Sequence, residues 1–162
     1  MNNRRFAQET SVPVEKTKAE IEMLVTRYGA SGFRSGWSGD ISQVEFAAND
    51  RVIRFTLPLP AKDSREFTRT KAGNIITDQS KRLKLWEQGC RQRWRALHLA
   101  IKAKLEAVAC GISEFEAEFL AQIVDPITGR TVGENVRPMI AARYEGRDVP
   151  LLGLPSPDGG DT

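Results

Sequence analysis

Six side chains able to carry charge or donate hydrogen bonds recur along one stretch of the chain: Lys84, Gln88, Arg91, Arg95, His98 and Lys102. Their steps of four, three, four, three and four place them on a single stripe of an α-helix, because residues three and four apart stack over one another. Lys81 stands at the head of the same stretch, and Arg82, Arg93 and Lys104 form a second stripe on the opposite flank. Clustered cations displace counterions from phosphates, which is the main source of sequence-independent affinity for nucleic acid. Two other readings stay open. The cations can be solvated flanks whose aliphatic stems cover an apolar seam, or they can pair with carboxylates of the chain itself or of a partner.

Aromatic side chains supply the other half of a nucleic-acid hypothesis, since a ring face stacks on a base. Phe33, Arg34 and Trp37 sit near one strand end and are candidates for a small platform, with ordinary sheet packing as the alternative. Trp86 and Trp94 fall within the apolar seam of the basic helix, where packing is the stronger expectation. The candidate nucleic-acid-binding residues are therefore Lys81, Lys84, Arg91, Arg95, His98 and Lys102, joined by Arg34 and Trp37. Arg65, Arg69 and Lys71, interspersed with Asp63 and Glu66, could clamp a backbone or belong to a hydrated linker.

Catalytic signatures are sparse. His98 is the one histidine, so a His-rich metal site or a His-paired nucleophile would depend wholly on it. No cysteine spacing suits zinc, and no glycine loop suits a phosphate. Glu114, Glu116 and Glu118 would share a face only on a strand; at the start of a helix they suit the macrodipole instead. Asp40, Glu45 and Asp50 match no nuclease motif. No catalytic residue, metal or cofactor is expected, and a binding protein is favoured over an enzyme.

The elements that must position these residues follow from periodicity. Pro13 opens a helix to about Tyr28, with Ile21, Leu24, Val25 and Tyr28 on one side and Gly29 beyond its end. Three strands follow over Gly32–Trp37, Ile41–Ala47 and Arg51–Leu57, the last two joined at Ala48-Asn49-Asp50 and the last stopped by Pro58 and Pro60. Residues 61–78 read as a long exposed loop. A central helix spans about Gln79 to Ala109, with Leu83, Trp86, Cys90, Trp94, Leu97, Ile101, Leu105 and Val108 as its seam and Gly111 closing it. Ser113 with Glu116 resembles a capping box. The segment behind it fits helix or strand; a helical start passing into a short strand near Leu120–Val124 is favoured. Thr131 and Glu134 form a second capping box, opening a last helix to about Tyr144. The class is α+β: an N-terminal helix, a three-stranded antiparallel sheet, a long central helix packed on it, then a short strand and helix. One domain over residues 13–148 is expected, with flexible ends at 1–12 and 149–162.

Bulk properties agree with a globular domain of 162 residues, 40% of them hydrophobic and 28% charged. The net charge of +3 conceals a strong asymmetry, with +2 over residues 1–78, +6 over 79–110 and −5 over 111–162. No apolar run approaches the ~20 residues that span a bilayer, and the first residues lack the apolar stretch of a signal peptide. A cytoplasmic protein without a membrane partner is expected. Cys90 and Cys110, about 30 Å apart on an intact helix, cannot pair with each other.

Several segments resemble a group of small proteins encoded in tailed phages and prophages. They are Val12-Pro13-Val14-Glu15-Lys16-Thr17, the run Ala19–Ala30, Ile53-Arg54-Phe55-Thr56-Leu57-Pro58-Leu59-Pro60, Arg91-Gln92-Arg93-Trp94-Arg95-Ala96-Leu97, Ile101-Lys102-Ala103-Lys104-Leu105-Glu106-Ala107, and Thr128-Gly129-Arg130-Thr131-Val132-Gly133-Glu134. The resemblance covers most of residues 12–145 and is most specific at the Trp94 helix. Asn135 departs from it, standing where a large apolar residue is expected. The resemblance implies a bacterial host cytoplasm and brings no catalytic residue with it. The expected function is a phage or prophage accessory protein binding DNA or RNA through the basic helix face, or alternatively a module that inhibits or redirects a host protein. The long seam, with outward Leu85 and Leu99, also admits a homodimer.

Overall fold

A computed structural model describes residues 11–151; the ends expected to be flexible, 1–12 and 149–162, lie mostly outside them. The order is α1 (Val14–Arg27), β1 (Gly32–Ser38), β2 (Ile41–Ala48), β3 (Arg51–Pro58), α2 (Arg65–Thr68), α3 (Gln79–Ala109), α4 (Phe115–Phe119), a 3-10 turn (Leu120–Gln122) and α5 (Val132–Tyr144). The architecture is α+β. The three strands form one antiparallel sheet in the order β1-β2-β3.

Both hairpins are tight because their turn residues accept the required backbone. Asn49 and Asp50 adopt φ of 50° and 57°, the left-handed pair that matches strand twist in a two-residue turn. The register sets Phe33 opposite Phe46 and Trp37 opposite Ser42, while Val44 faces Phe55 and Phe46 faces Ile53. These residues share one face of the sheet. Its core side chains, Val44, Phe46, Ile53 and Phe55, meet Ile21, Leu24 and Val25 of α1 and Trp94, Leu97, Ile101 and Leu105 of α3 in a single cluster. Phe119 closes the cluster from α4, its ring edge-on to Phe46 and Phe55.

Side chains one residue out of phase face the other way. There Glu45 lies between Arg34 and Arg54 on the flanking strands. Burial works against its ionisation, but the Arg54 and Arg34 guanidiniums outweigh that and hold the carboxyl below the usual carboxylate range.

Helix α3 begins at Asp78, whose carboxylate accepts from the Ser80 and Lys81 amides. At α5 both halves of the capping box form: Thr131 accepts from the Glu134 amide, and Glu134 accepts from the Thr131 amide. The expected box at Ser113 does not form. Glu114 occupies the cap position of α4, without a side-chain cap.

Two further expectations are revised. Residues 61–78 are not a uniformly exposed loop, since Phe67 and Ile76 are buried. Two apolar side chains suffice to pin a polar segment when a docking surface exists, and Gly89 provides it: a Cβ there would stand 2.8 Å from Phe67 Cζ. The strand expected near Leu120–Val124 is reduced to isolated bridges, Ile53 to Ile123 and Val124 to Thr131. The Val124 amide donates to Val52 O at 2.8 Å, so the segment covers the outer edge of β3.

Candidate nucleic-acid interface

Trp37 is 78% exposed on the helix-bearing face of the sheet, at the end of β1 next to the β1–β2 turn. Across from it, Trp86 and Trp94 occupy the N-terminal half of α3, and the three line one groove of about 480 Å3 between α1, the β1–β2 hairpin and α3. These are all the tryptophans of the chain. Their roles differ. Trp94 is 2% exposed and belongs to the core, with Lys18 Nζ 5.1 Å from its ring centroid. Trp86 is half-buried; its indole N–H donates to Pro60 O at 2.7 Å, and Lys62 Nζ lies 4.5 Å from its ring. Trp37 alone presents an open ring.

Cations surround these rings: Lys18, Lys62 and Arg91 line the groove, with Asp40 and Glu87 as its carboxylates. Arg91 is held by Gln88, whose side-chain oxygen accepts from Nε at 3.0 Å and from Nη2 at 2.7 Å. That bond fixes the guanidinium without neutralising it. Cys90 also lines the groove, and burial pushes its thiol up, so it stays protonated at neutral pH.

The basic stripe of α3 is divided rather than uniform. Lys81, Lys84 and Lys102 are exposed and form no ion pair among the described residues. Arg95 is bound to Glu20 of α1, and the bond to Arg95 holds the Glu20 carboxyl below its ordinary value. His98 is half-buried, its Nδ1 without a hydrogen-bond partner among the described residues. Burial lowers its pKa and the neighbouring Arg95 adds to the effect, which favours the neutral ring.

The second stripe is largely occupied. Arg93 reaches Glu66 at 3.6 Å and Pro58 O at 3.4 Å, Lys104 reaches Glu118 at 3.1 Å, and Arg82 donates to Ile76 O at 2.6 Å. Of these only Lys104 pairs with the acidic C-terminal third.

Arg34 and Trp37 do not form one platform. Three residues apart on a strand, they project from opposite faces, and Arg34 is spent on Glu45. The residues brought together are Trp37 and Arg91, with Lys84 two turns along the same stripe. Lys18, Lys62 and Trp86 complete the groove; Trp86 is legible only as a seam residue of α3, and nothing in the sequence marks Lys18 or Lys62, because they come from different segments that no periodicity links. Among the described residues no cluster of His, Cys, Asp and Glu could hold a metal ion, and no helix is long and apolar enough to cross a membrane. Comparison of the chain with protein-family models, with curated proteins and with solved structures gives no match.

Proposed function

We propose that the protein is an accessory factor of a phage or prophage, working in the bacterial cytoplasm, that binds single-stranded DNA or RNA across the tryptophan groove. The observation that carries this reading is the open Trp37 ring facing a groove bordered by Lys18, Lys62 and Arg91. A base stacked on the ring places its own phosphates within the reach of lysine and arginine side chains, the combination that single-strand binders use. Lys84 extends the cationic rim along α3. The pairing of Arg95 with Glu20 removes the middle of the stripe, which favours a short contact at the groove over a long duplex track along the helix. The role is binding, with no reaction assigned to the groove. The resemblance to phage-encoded proteins supplies the setting.

Fluorescence anisotropy with labelled single-stranded and duplex oligonucleotides, over a range of salt concentrations, tests the proposal. Single strands are expected to bind more tightly than duplex, with affinity falling as salt rises, and Arg91→Glu is expected to weaken binding several-fold. No binding at low salt, or binding indifferent to Arg91→Glu, overturns it. A protein that blocks a host factor through this groove would give the first result.

A further inference from the structure

The two edges of the sheet are treated differently. The outer edge of β3 is covered by the segment around Val124, whereas β1 has no strand beside it on its outer side among the described residues. The β1–β2 turn spans two residues, Gly39 and Asp40, between the paired Ser38 and Ile41. In such a hairpin the closing pair is hydrogen-bonded, and alternation then directs the N–H and C=O groups of Phe33, Ser35 and Trp37 away from β2. None of these three backbones finds a partner among the described residues. An open row of this kind is a template for another strand.

We propose that the occupant is a second copy of the same strand, paired antiparallel about a two-fold axis at Ser35. This register uses the whole of β1, because Gly32–Ser38 is centred on Ser35. Each free backbone group then meets its counterpart: Ser35 opposite Ser35 of the second copy, and Phe33 opposite Trp37 in both directions. The aromatic pairs fall on the helix-bearing face, which gives the exposed Trp37 ring an apolar neighbour. On the other face each Arg34 lies opposite a Gly36. The guanidiniums therefore avoid each other, and each is already matched by Glu45 on its own chain. Like charges directly opposite would oppose pairing; here each Arg34 is held by the carboxylate it shares with Arg54, and glycine leaves room across the axis. The result is a six-stranded sheet with both tryptophan grooves on one face.

The contact is modest. Stable interfaces bury about 1,600 Å² in total, and one strand edge with two tryptophans supplies less, so dimerisation is expected to depend on concentration in the micromolar range. It rests on no part of the nucleic-acid reading. A chain that dimerises without binding oligonucleotides supports this inference and sinks the other.

Sedimentation velocity from low micromolar to submillimolar concentration reads the mass. The expected result is a shift from one chain to two, abolished by Ser35→Pro, which removes only an outward N–H and is tolerated on an edge strand. Circular dichroism checks that the variant is folded. Ser35→Lys, which places two ammoniums across the axis, is a second variant expected to stay monomeric. A nitroxide on Ser35→Cys, in a Cys110→Ser background, is expected to show strong dipolar broadening in the dimer. A wild-type chain that stays monomeric throughout, a folded Ser35→Lys chain that still dimerises, or a dimer without broadening overturns the proposal.

Discussion

Glu20 of α1 and Arg95 of α3 form an ion pair between the two helices that share the core with the sheet. Both side chains are about three-quarters covered, so the pair is neither fully solvated nor deeply buried. It ties α1 to α3 and withdraws the central arginine of the basic stripe from any external phosphate. Glu20→Gln separates these effects. The substitution is expected to lower stability by about 1 kcal/mol or less in urea unfolding. It is also expected to tighten oligonucleotide binding at low salt, because a guanidinium is released. Equal or weaker binding in the variant would show that Arg95 lies outside the contact.

Acid stability should fall in two stages. His98 has a depressed pKa in the folded state, from burial first and then Arg95, with Lys102 adding to Arg95 and Glu20 opposing. The unfolded chain takes up its imidazole proton near pH ~6.5 while the folded chain still resists it. Stability is therefore full above that value and declines as pH falls through it, until the folded imidazole also protonates. Glu20 is likewise depressed, through its bond to Arg95. Its contribution is present above the unfolded carboxylate value and is lost at more acid pH, as the folded carboxyl takes up its proton. Denaturant midpoints measured from pH 7.5 to 5 should fall for the wild type and stay flatter for His98→Gln, with the later acid loss unchanged in that variant.

Gly89 and Gly133 look alike in sequence, each inside a helix, yet they meet different neighbours. A Cβ at Gly89 would stand 2.8 Å from the tip of the Phe67 ring, while one at Gly133 would stand 2.8 Å from the backbone oxygen of Ala121. A ring can swing and a backbone carbonyl cannot. Gly133→Ala is expected to cost about 1–3 kcal/mol through overpacking. Gly89→Ala gains up to about 1 kcal/mol of helix propensity, which offsets the displaced ring, so global stability should change little. The consequence is local: trypsin should cut faster at Arg65, Arg69 or Lys71 once Phe67 is displaced, at an unchanged melting temperature.

The parts of the fold legible in the sequence are those whose signals are local. Helix α3 carries its seam across 31 residues, Asn49 and Asp50 mark their hairpin by residue type, and Thr131 with Glu134 marks a cap within four positions. Phe67 and Ile76 were not legible as anchors, since each is a single apolar residue in a polar run and its meaning depends on Gly89 and α3. The same holds for the site. Trp37 and Arg91 could be singled out separately, but their convergence with Lys18, Lys62 and Trp86 depends on how α1 and the hairpin are laid against α3. The fate of the cations was equally hidden: composition counts Arg95 and Lys84 alike, and only the packing of α1 gives one of them a carboxylate.

Trp37 and Trp94 line the same groove and should respond to truncation in opposite ways. Trp94 is 2% exposed within the core cluster. Trp94→Ala is expected to lose about 3–5 kcal/mol of stability, as large buried rings do when removed. Trp37 is 78% exposed, so Trp37→Ala should unfold within about 0.5 kcal/mol of the wild type. Its effect belongs to binding. Loss of one stacking ring is worth about 1–3 kcal/mol per base, which anisotropy would read as a drop of roughly 5- to 150-fold in single-strand affinity. The salt dependence should stay nearly parallel to that of the wild type, because no cation has been removed. Arg91→Glu should do the converse, flattening the salt dependence. A Trp37→Ala chain that stays folded and binds single strands as tightly as the wild type would remove the ring from the contact and leave the cations as a solvated rim.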